Sequence, residues 1–483
     1  MIISLLLFIT YLIVLLQIAH ESNKSTTFNK YYKIQCVFIL CSVFMLVYDK
    51  SLYNFDSKYI QVVPHNIGVF ITISSSILTA FALFLNPDLS VGLLTSLYGI
   101  YKITSTTDFF NMYVGYEVLL SGFVFCLIKS QYPHWKLYLK YQMLASFILF
   151  FGVCLFYLEN GHLGIFYNQK PFFNAYILLL GFLIKAGAYP FGLWIALYSK
   201  IPNQILFWAS GLITKISVYS ILVLMPWLSS GMYNLSNSVN KGLSKSIVNP
   251  IIILLSSLYN NHTKHSDIIM HNHENLYANT STILSLLCSV GLGAISILSA
   301  IIGAILAYKS LNSKKILSFH IMSQIGIILN IAVFEFHNQM NFGLTILYLT
   351  HHIWTKSTLF LMVDDKQSWL CKYAALSLIG FPITPGFIAK FSALYFMIQK
   401  HYYIGAMSLI LSSIITAFSV EKFMNSFEKP TKNLIKNVNL NNDLYKTNIY
   451  KNDLYKKHTL SIISLVIHYI LMYYITKIFI ICS

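Results

Sequence analysis

Arginine is absent from this chain, so all 33 of its Lys or Arg positions are lysines. Charged residues make up only 10% of the 483 residues, against roughly 25% in an average soluble domain. The chain also lacks a G-x-x-x-x-G-K-S/T phosphate-binding loop and any C-x-x-C pair, and its seven cysteines are scattered. These absences argue against a soluble enzyme, a P-loop nucleotide hydrolase and a metal or cluster site held by paired cysteines.

Long apolar runs are abundant instead. The chain is 56% hydrophobic with a mean hydropathy of +0.64. Because a membrane-spanning helix needs about 20 apolar residues, this pattern predicts an all-α polytopic membrane protein with about 14 transmembrane helices. The predicted spans are 1–20, 31–48, 65–86, 88–106, 108–129, 140–158, 173–198, 204–227, 282–307, 316–336, 343–363, 373–399, 403–420 and 459–481.

The lysines indicate orientation. A formal charge of +17 could suggest nucleic-acid binding, but most lysines lie in loops between spans, so we expect no nucleic-acid partner. The loops at 21–33, 129–140, 308–315 and 420–458 hold most of them and fall on one side of the membrane. The positive-inside rule predicts that this side faces the cytoplasm or matrix, with both termini opposite.

Lys185 lies in an apolar run and is followed closely by Gly187 and Pro190. An ammonium at the centre of a spanning helix costs at least roughly 2.5–3.5 kcal/mol, so such residues usually face protein or water and often carry protons. Pro190 removes a backbone donor, which predicts a helix break just past the lysine. The alternative is a lysine near a helix end that extends to the headgroups.

Two further ionisable residues lie in neighbouring spans. Glu117 falls near mid-membrane, about nine residues into its span at 1.5 Å per residue. An isolated buried carboxylate would protonate, so a cationic partner is needed to keep it charged, and Lys185 is the candidate. Lys215 lies in the middle of the next span.

The second half carries a similar set. His320 lies early in one predicted span. His352 and Lys356, four residues apart, share one helix face, where a proton could pass between them directly or through water.

A second broken helix follows, marked by Pro382, Pro385 and Gly386, with Lys390 just after it. Lys185 precedes its break and Lys390 follows its own. Mirror images of this kind are typical of inverted-topology repeats, here two five-helix units with breaks near 187–190 and 382–386.

The spans and polar segments predict six parts of the chain. These are N-terminal transmembrane helices (1–87), a first inverted-repeat bundle (88–227), a polar loop insertion (228–281), a second bundle (282–420), a polar linker (421–458) and a C-terminal helix (459–483). The insertion contains four histidines between 262 and 273, but without cysteines or a matching scaffold we expect a solvated loop and no metal site.

Taken in order, these motifs resemble the antiporter-like subunits of respiratory complex I. A family pattern K-x-G-x-x-P-F-H-x-W is matched by residues 185–194, H-x-x-x-K-x-x-L-F by 352–360, and a later G-x-P with G-F-x-x-K-F by 380–391. A lysine at 390 and no long C-terminal lateral helix favour the subunit 2 group over subunits 4 and 5. The chain departs from the pattern at Gly192, where the family has histidine, and at His320, where serine is common.

The resemblance implies a proton-translocating subunit of NADH:ubiquinone oxidoreductase in the mitochondrial inner membrane, with Glu117, Lys185, Lys215, His320, His352, Lys356 and Lys390 carrying the protons. It implies no cofactor in this chain; NADH, FMN, iron-sulfur clusters and ubiquinone would bind partner subunits. Expected partners are other membrane-arm and antiporter-like subunits and lipids, including cardiolipin.

Our mechanistic hypothesis is that Glu117 favours the Lys185 ammonium when the two are close, and that separation expels the proton. Three alternatives remain open: complex I chain 5 or 4, a subunit of a multisubunit Na+/H+ antiporter, and a proton-inert structural scaffold.

Overall fold

The computed structural model describes residues 59–165, 175–239, 291–338, 340–365, 368–425 and 457–473, with side chains described from 67 onward and not in 229–239. The predicted spans at 1–20 and 31–48, most of the polar segment 228–281 and most of the linker 421–458 lie outside the described residues. The four histidines between 262 and 273 lie outside them as well.

The described residues form thirteen α-helices, which we number in chain order. They are α1 (Tyr59–Leu85), α2 (Ser90–Ser105), α3 (Phe109–Lys129), α4 (Trp135–Asn160), α5 (Ala175–Ala186), α6 (Asn203–Val239), α7 (Gly291–Lys309), α8 (Ser313–His337), α9 (Gly343–Leu361), α10 (Trp369–Ile379), α11 (Pro385–Gln399), α12 (Tyr403–Asn425) and α13 (457–473). A 3₁₀ segment, Phe191–Lys200, follows α5.

Eight segments of the described chain are long and apolar enough to cross a membrane. Backbone groups in lipid must be satisfied within a helix or a closed barrel, and the described residues contain no named strand, only one isolated bridge between Asp108 and Gly164. The protein is therefore a helical membrane protein, as predicted. The count of 14 spans stays a prediction.

Helix α6 lies at the centre of the bundle. It packs against α5, α9, α1 and α8, and nearly all of its apolar span from Asn203 to Leu228 is buried, Gln204 and Pro226 being half-buried. A helix that is apolar on all sides is buried by its neighbours, whereas α4 exposes Phe147 (70%) and Leu158 (77%) on a surface suited to lipid. Contrary to the predicted end at 227, α6 continues as backbone helix to Val239.

Both predicted breaks occur at glycines. Helix α5 ends at Ala186, and Gly187 follows at φ +79°; α10 ends at Ile379, and Gly380 follows at φ +90°. Glycine adopts this left-handed conformation without the clash that a Cβ would introduce. The first break therefore starts within the predicted range 187–190, and the second starts at Gly380, two residues before the predicted range 382–386.

Candidate functional site

Lys185 projects from the last turn of α5 into the bundle and is 3% exposed. Its Nζ donates a hydrogen bond to Ser146 Oγ on α4 (2.9 Å) and lies 5.2 Å from the centre of the Tyr116 ring on α3. A desolvated ammonium over an aromatic face gains a favourable cation–π interaction. Lys185 thus joins three helices through two neutral groups.

Glu117 is half-buried on α3, one residue past Tyr116. It interacts electrostatically with Lys185, but within the described residues the two form no ion pair at or below 4.0 Å, and Glu117 Oε1 has no hydrogen-bond partner. The predicted partnership is therefore present as a through-space interaction rather than a contact.

A small cavity next to Lys185 leads towards α6 and has room for about one water molecule. It is lined by Tyr116, Leu119, Leu120, Tyr138, Gln142, Lys185, Ile213 and Ser217. Gln142 Nε2 is buried and has no hydrogen-bond partner among the described residues. The cavity places polar groups of α4, α5 and α6 around one point.

Lys215 is fully buried on the central helix α6, where its Nζ donates to the carbonyl oxygen of Ser210. Its electrostatic interactions are with His352 and Lys356 on α9, across the contact between the two helices. That contact is close: Ser357 Oγ donates to Phe207 O (3.0 Å) on α6. Lys215 therefore lies between the Lys185 region and the second half.

His352 and Lys356 are both fully buried on α9. Lys356 Nζ donates to Leu317 O on α8 (3.1 Å). In the described part of the chain neither ring nitrogen of His352 has a hydrogen-bond partner. Because buried polar atoms are nearly always hydrogen-bonded, two such nitrogens in a polar surrounding fit water or a transferred proton.

His320 and Lys390 continue the row. His320 Nε2 is 2.8 Å from Ser419 Oγ on α12, and the imidazole interacts electrostatically with Lys356 and Lys390. Lys390 Nζ donates to two carbonyl oxygens at the C-terminus of the broken helix α10, those of Leu378 (3.0 Å) and Ile379 (2.8 Å). The negative end of a helix dipole favours a cation there.

At the first break, the donor to the carbonyl oxygens at the end of the broken helix is Trp194 and not a lysine. Its indole Nε1 donates to Ile184 O (2.8 Å) near the end of α5. Gly192 lies so close to the break that a Cβ there would be 1.9 Å from Gly187 O. This backbone has no space for the histidine of the family pattern at position 192, which explains the departure in physical terms.

Three buried ionisable residues were missed in the sequence. His351 on α9 and His468 on α13 stack with ring centroids 5.4 Å apart. Glu335 on α8 accepts hydrogen bonds from Leu344 N (2.7 Å), Thr345 N (2.9 Å) and Thr345 Oγ1 (2.5 Å) at the start of α9. The sequence signal of each was an ionisable residue inside an apolar run. His351 and His468 contact each other across 117 residues, whereas Glu335 contacts the next helix, nine and ten residues along the chain.

All seven predicted site residues lie in the described region, and six of them are buried, Glu117 being the half-buried exception. Lys215, His352, Lys356, His320 and Lys390 form one electrostatically connected row; Lys185 and Glu117 lie on the other side of α6. Among the described residues, no cluster of three His, Cys, Asp or Glu side chains could hold a metal ion.

A row of buried lysines and histidines across an apolar helical bundle is typical of membrane proteins that move ions or protons. The chain belongs to the family described as "NADH:quinone oxidoreductase/Mrp antiporter, TM", whose model matches residues 106–264 and 275–368, slightly more than half of the chain. It is an antiporter-like membrane subunit of the complex I and Mrp type.

Relatives come from both branches of the family. The D-type subunit of the Na(+)/H(+) antiporter of Alkalihalophilus pseudofirmus is 23% identical over 66% of this chain, which spans 61% of that relative's length. The N-type subunit of the NADH-quinone oxidoreductase of Buchnera aphidicola is 23% identical over 90% of this chain and 89% of its own. Respiratory complex I from Thermus thermophilus contains a chain with the same fold, with a TM-score of 0.64 at 15% identity over 89% of this chain and 90% of that chain.

Proposed function

We propose that this chain translocates protons as a membrane subunit of an NADH:quinone oxidoreductase, corresponding to chain 2 of the mitochondrial enzyme. The observation that carries the proposal is a set of four buried lysines, Lys185 and the three lysines of the row, each hydrogen-bonded to a neutral oxygen. Ammonium groups without a contacting carboxylate can lose and regain protons more readily than groups fixed in ion pairs.

The chemistry of the row favours protons over sodium. Hard cations bind clusters of carboxylate, carbonyl and water oxygens, and a set of lysines and histidines offers positive charge or nitrogen donors instead. Lys215 and Lys356 interact with each other and with His352, so a sodium ion near them would be repelled. Protons can instead be exchanged between these side chains and water.

In the proposed mechanism, Glu117 controls the charge of Lys185, and the proton then passes across α6 towards Lys215. The cavity beside Lys185 supplies the route on one side of α6, with Gln142 and Ser217 as polar lining. From Lys215 the charge moves through His352, Lys356 and His320 to Lys390, the last predicted member of the row.

The redox chemistry belongs to partner subunits in this proposal. NADH, FMN, iron-sulfur clusters and ubiquinone would bind there, and this chain would hold none of them. Its partners would be neighbouring membrane-arm subunits and lipids, including cardiolipin. A lysine-rich, arginine-free composition fits an AT-rich genome such as that of a mitochondrion, which supports placing the chain in the inner membrane. The lysines of the predicted loops support placing both termini on the intermembrane-space side.

Two candidates compete with this proposal. The similarity to the Na(+)/H(+) antiporter relative supports a Mrp-type role, but the match to the NADH-quinone oxidoreductase relative extends over nearly all of both chains and favours the redox complex. Sodium-dependent transport would separate the two. A proton-inert scaffold would tolerate neutral replacement of Glu117, Lys185 and Lys390 together whenever the complex still assembles.

The test is Lys185→Met in the assembled enzyme reconstituted into proteoliposomes, with protons transported per electron as the readout. We expect the ratio to fall, because methionine keeps the side-chain length without a titratable group. Lys400→Met is the matched control, since Lys400 is an exposed lysine at the end of α11. An unchanged ratio in the Lys185 variant would remove this residue from the mechanism.

A further inference from the structure

The last described helix, α13, carries four polar residues on one face. His458, Ser461, Ser464 and His468 are separated by three, three and four residues, the spacing of one helical face. They lie between lipid-suited positions such as Ile463 (46% exposed) and Val466 (52%). None of the four belongs to the buried row of lysines and histidines.

Helix α9 presents a matching face. His351, Thr355 and Thr358 follow the same spacing, and Asp365 lies on its continuation just past the helix end. Met362 occupies the remaining position. On this α9 face the threonine hydroxyls and the histidine are all buried.

The two faces meet in antiparallel register, and we call the contact the polar seam. Three contacts define it: the His351 and His468 rings stack at 5.4 Å with 28° between their planes, Thr358 Oγ1 and Ser464 Oγ are 2.9 Å apart, and His458 Nε2 is 2.9 Å from Asp365 Oδ2. Along α13 the seam runs for ten residues, about 15 Å.

One end of the polar seam is inside the protein and the other reaches the surface. The His351 and His468 side chains are fully buried, whereas those of His458 and Asp365 are 29% and 31% exposed. The outer end lies beside Asn203, which donates to Asp364. That surface also carries the Lys200–His134 contact, so it is the face on which α3 ends and α4 begins, within the segment 129–140 that the sequence predicted to be a lysine-bearing loop.

The inner end adjoins Lys390. His351 interacts electrostatically with Lys390, and a Cβ on Gly386, one turn before Lys390, would lie 2.9 Å from His351 Cε1. The histidine pair is therefore placed where the row of lysines ends. The seam links that point to the surface without passing back through α6.

Buried polar atoms within the seam are left without partners. His351 Nε2, His468 Nε2 and Ser461 Oγ have no hydrogen-bond partner in the described residues. A seam that served only to hold two helices together would pair its polar groups, because an unpaired buried group costs about 1–3 kcal/mol. Unpaired nitrogens and a free hydroxyl are what a chain of bridging waters requires.

We propose that the polar seam is a proton route between Lys390 and the aqueous face at Asp365 and His458. The inference rests on the proposed function and adds to it a path along α13. Each step moves one proton from an N–H or O–H to a neighbouring lone pair. An imidazole accepts it on one ring nitrogen and releases it from the other, and Asp365 exchanges it with solvent, so no electron transfer is involved.

The test compares four variants of the assembled enzyme in proteoliposomes, with protons transported per electron as the readout. His468→Leu removes both ring nitrogens while filling the space, and we expect it to lose transport to the level of Lys390→Met. Val466→Leu, on the lipid-suited face of α13, is the control and should match wild type. Wild-type transport in His468→Leu alongside lost transport in Lys185→Met would overturn the seam and leave the proposed function standing.

A second variant covers the case in which His468→Leu does not assemble. Asp365→Asn lies at the exposed outer end and removes the carboxylate that exchanges protons with solvent. We expect proton exchange with that face to slow at low buffer concentration and to recover at high concentration, because mobile buffer replaces the surface carboxylate. A merely structural role predicts no buffer rescue. Proton exchange equal to wild type at low buffer concentration, or a defect that buffer leaves unchanged, counts against the seam. The Lys185→Met variant tests the proposed function separately, and its result does not depend on His468→Leu or Asp365→Asn.

Discussion

Replacing Gly192 by alanine tests whether the first break is held by a close backbone approach. The added Cβ would lie 1.9 Å from Gly187 O and 2.3 Å from Gly187 C, whereas Cβ contacts under 3.0 Å are essentially never found in proteins. The chain must therefore move by about 1 Å at the break. Its neighbours are rigid, since Gly187 is fixed by backbone hydrogen bonds to Leu183 and Ile184.

The cost follows from two effects. Overpacking in a well-packed interior costs about 1–3 kcal/mol, and loss of the Trp194 bond to Ile184 O adds about 0.5–1.5 kcal/mol. We therefore expect Gly192→Ala to destabilise the fold around the break by about 2–4 kcal/mol of free energy, and the assembled complex to inactivate at a lower temperature. Because Lys185 lies two residues before Gly187, protons transported per electron should fall as well.

Thermal inactivation of the purified complex measures the first effect, and proton transport in proteoliposomes measures the second. Gly291→Ala is the matched control, since a Cβ there would meet no atom of the described residues within 4 Å. A helical Gly→Ala change without such a contact is neutral or stabilises by up to roughly 1 kcal/mol. If Gly192→Ala and Gly291→Ala behave alike, the close approach at the break is not what fixes it.

Two other changes test parts of the site. Glu335→Ala leaves the buried amides of Leu344 and Thr345 without their acceptor, so we expect a loss of about 2–6 kcal/mol, seen as a lower melting temperature; Glu335→Gln, which keeps one acceptor oxygen, should lose less, and equal losses would contradict this role. Ser146→Asp puts a carboxylate in contact with Lys185 and should hold its ammonium, so transport should fall further than in Ser146→Ala; similar transport in both would refute it.

Local sequence features predicted those parts of the structure that depend on residues close together in the chain. A lysine followed by glycine and proline predicted the break at 187–190, and the helix ends there at the left-handed Gly187. The i, i+4 spacing placed His352 and Lys356 on one helix correctly. Composition predicted a helical membrane protein because apolar runs of about 20 residues are also a local feature of the chain.

Contacts between distant helices could not be predicted in this way. The separation of Glu117 from Lys185 depends on how α3 and α5 pack, and no spacing in the chain encodes it. The pairing of His351 with His468 requires α9 and α13 to be neighbours across more than one hundred residues. In the sequence, each histidine is a single polar residue in an apolar run. The polar seam is visible only when α9 and α13 are packed against each other.

The acceptors of the four buried lysines explain why such a costly arrangement persists. Ser146 Oγ and the carbonyl oxygens of Ser210, Leu317 and Leu378 are all neutral, so each ammonium is hydrogen-bonded without a contacting counter-charge. A carboxylate in contact would fix the proton, because breaking a buried ion pair costs roughly 3–5 kcal/mol. Neutral oxygens can accept from an ammonium and still accept from the amine left when the proton departs. None of the four lysines is stabilised by an ion pair with another described residue, whether it is charged or neutral. A proton can therefore leave each lysine without breaking an ion pair.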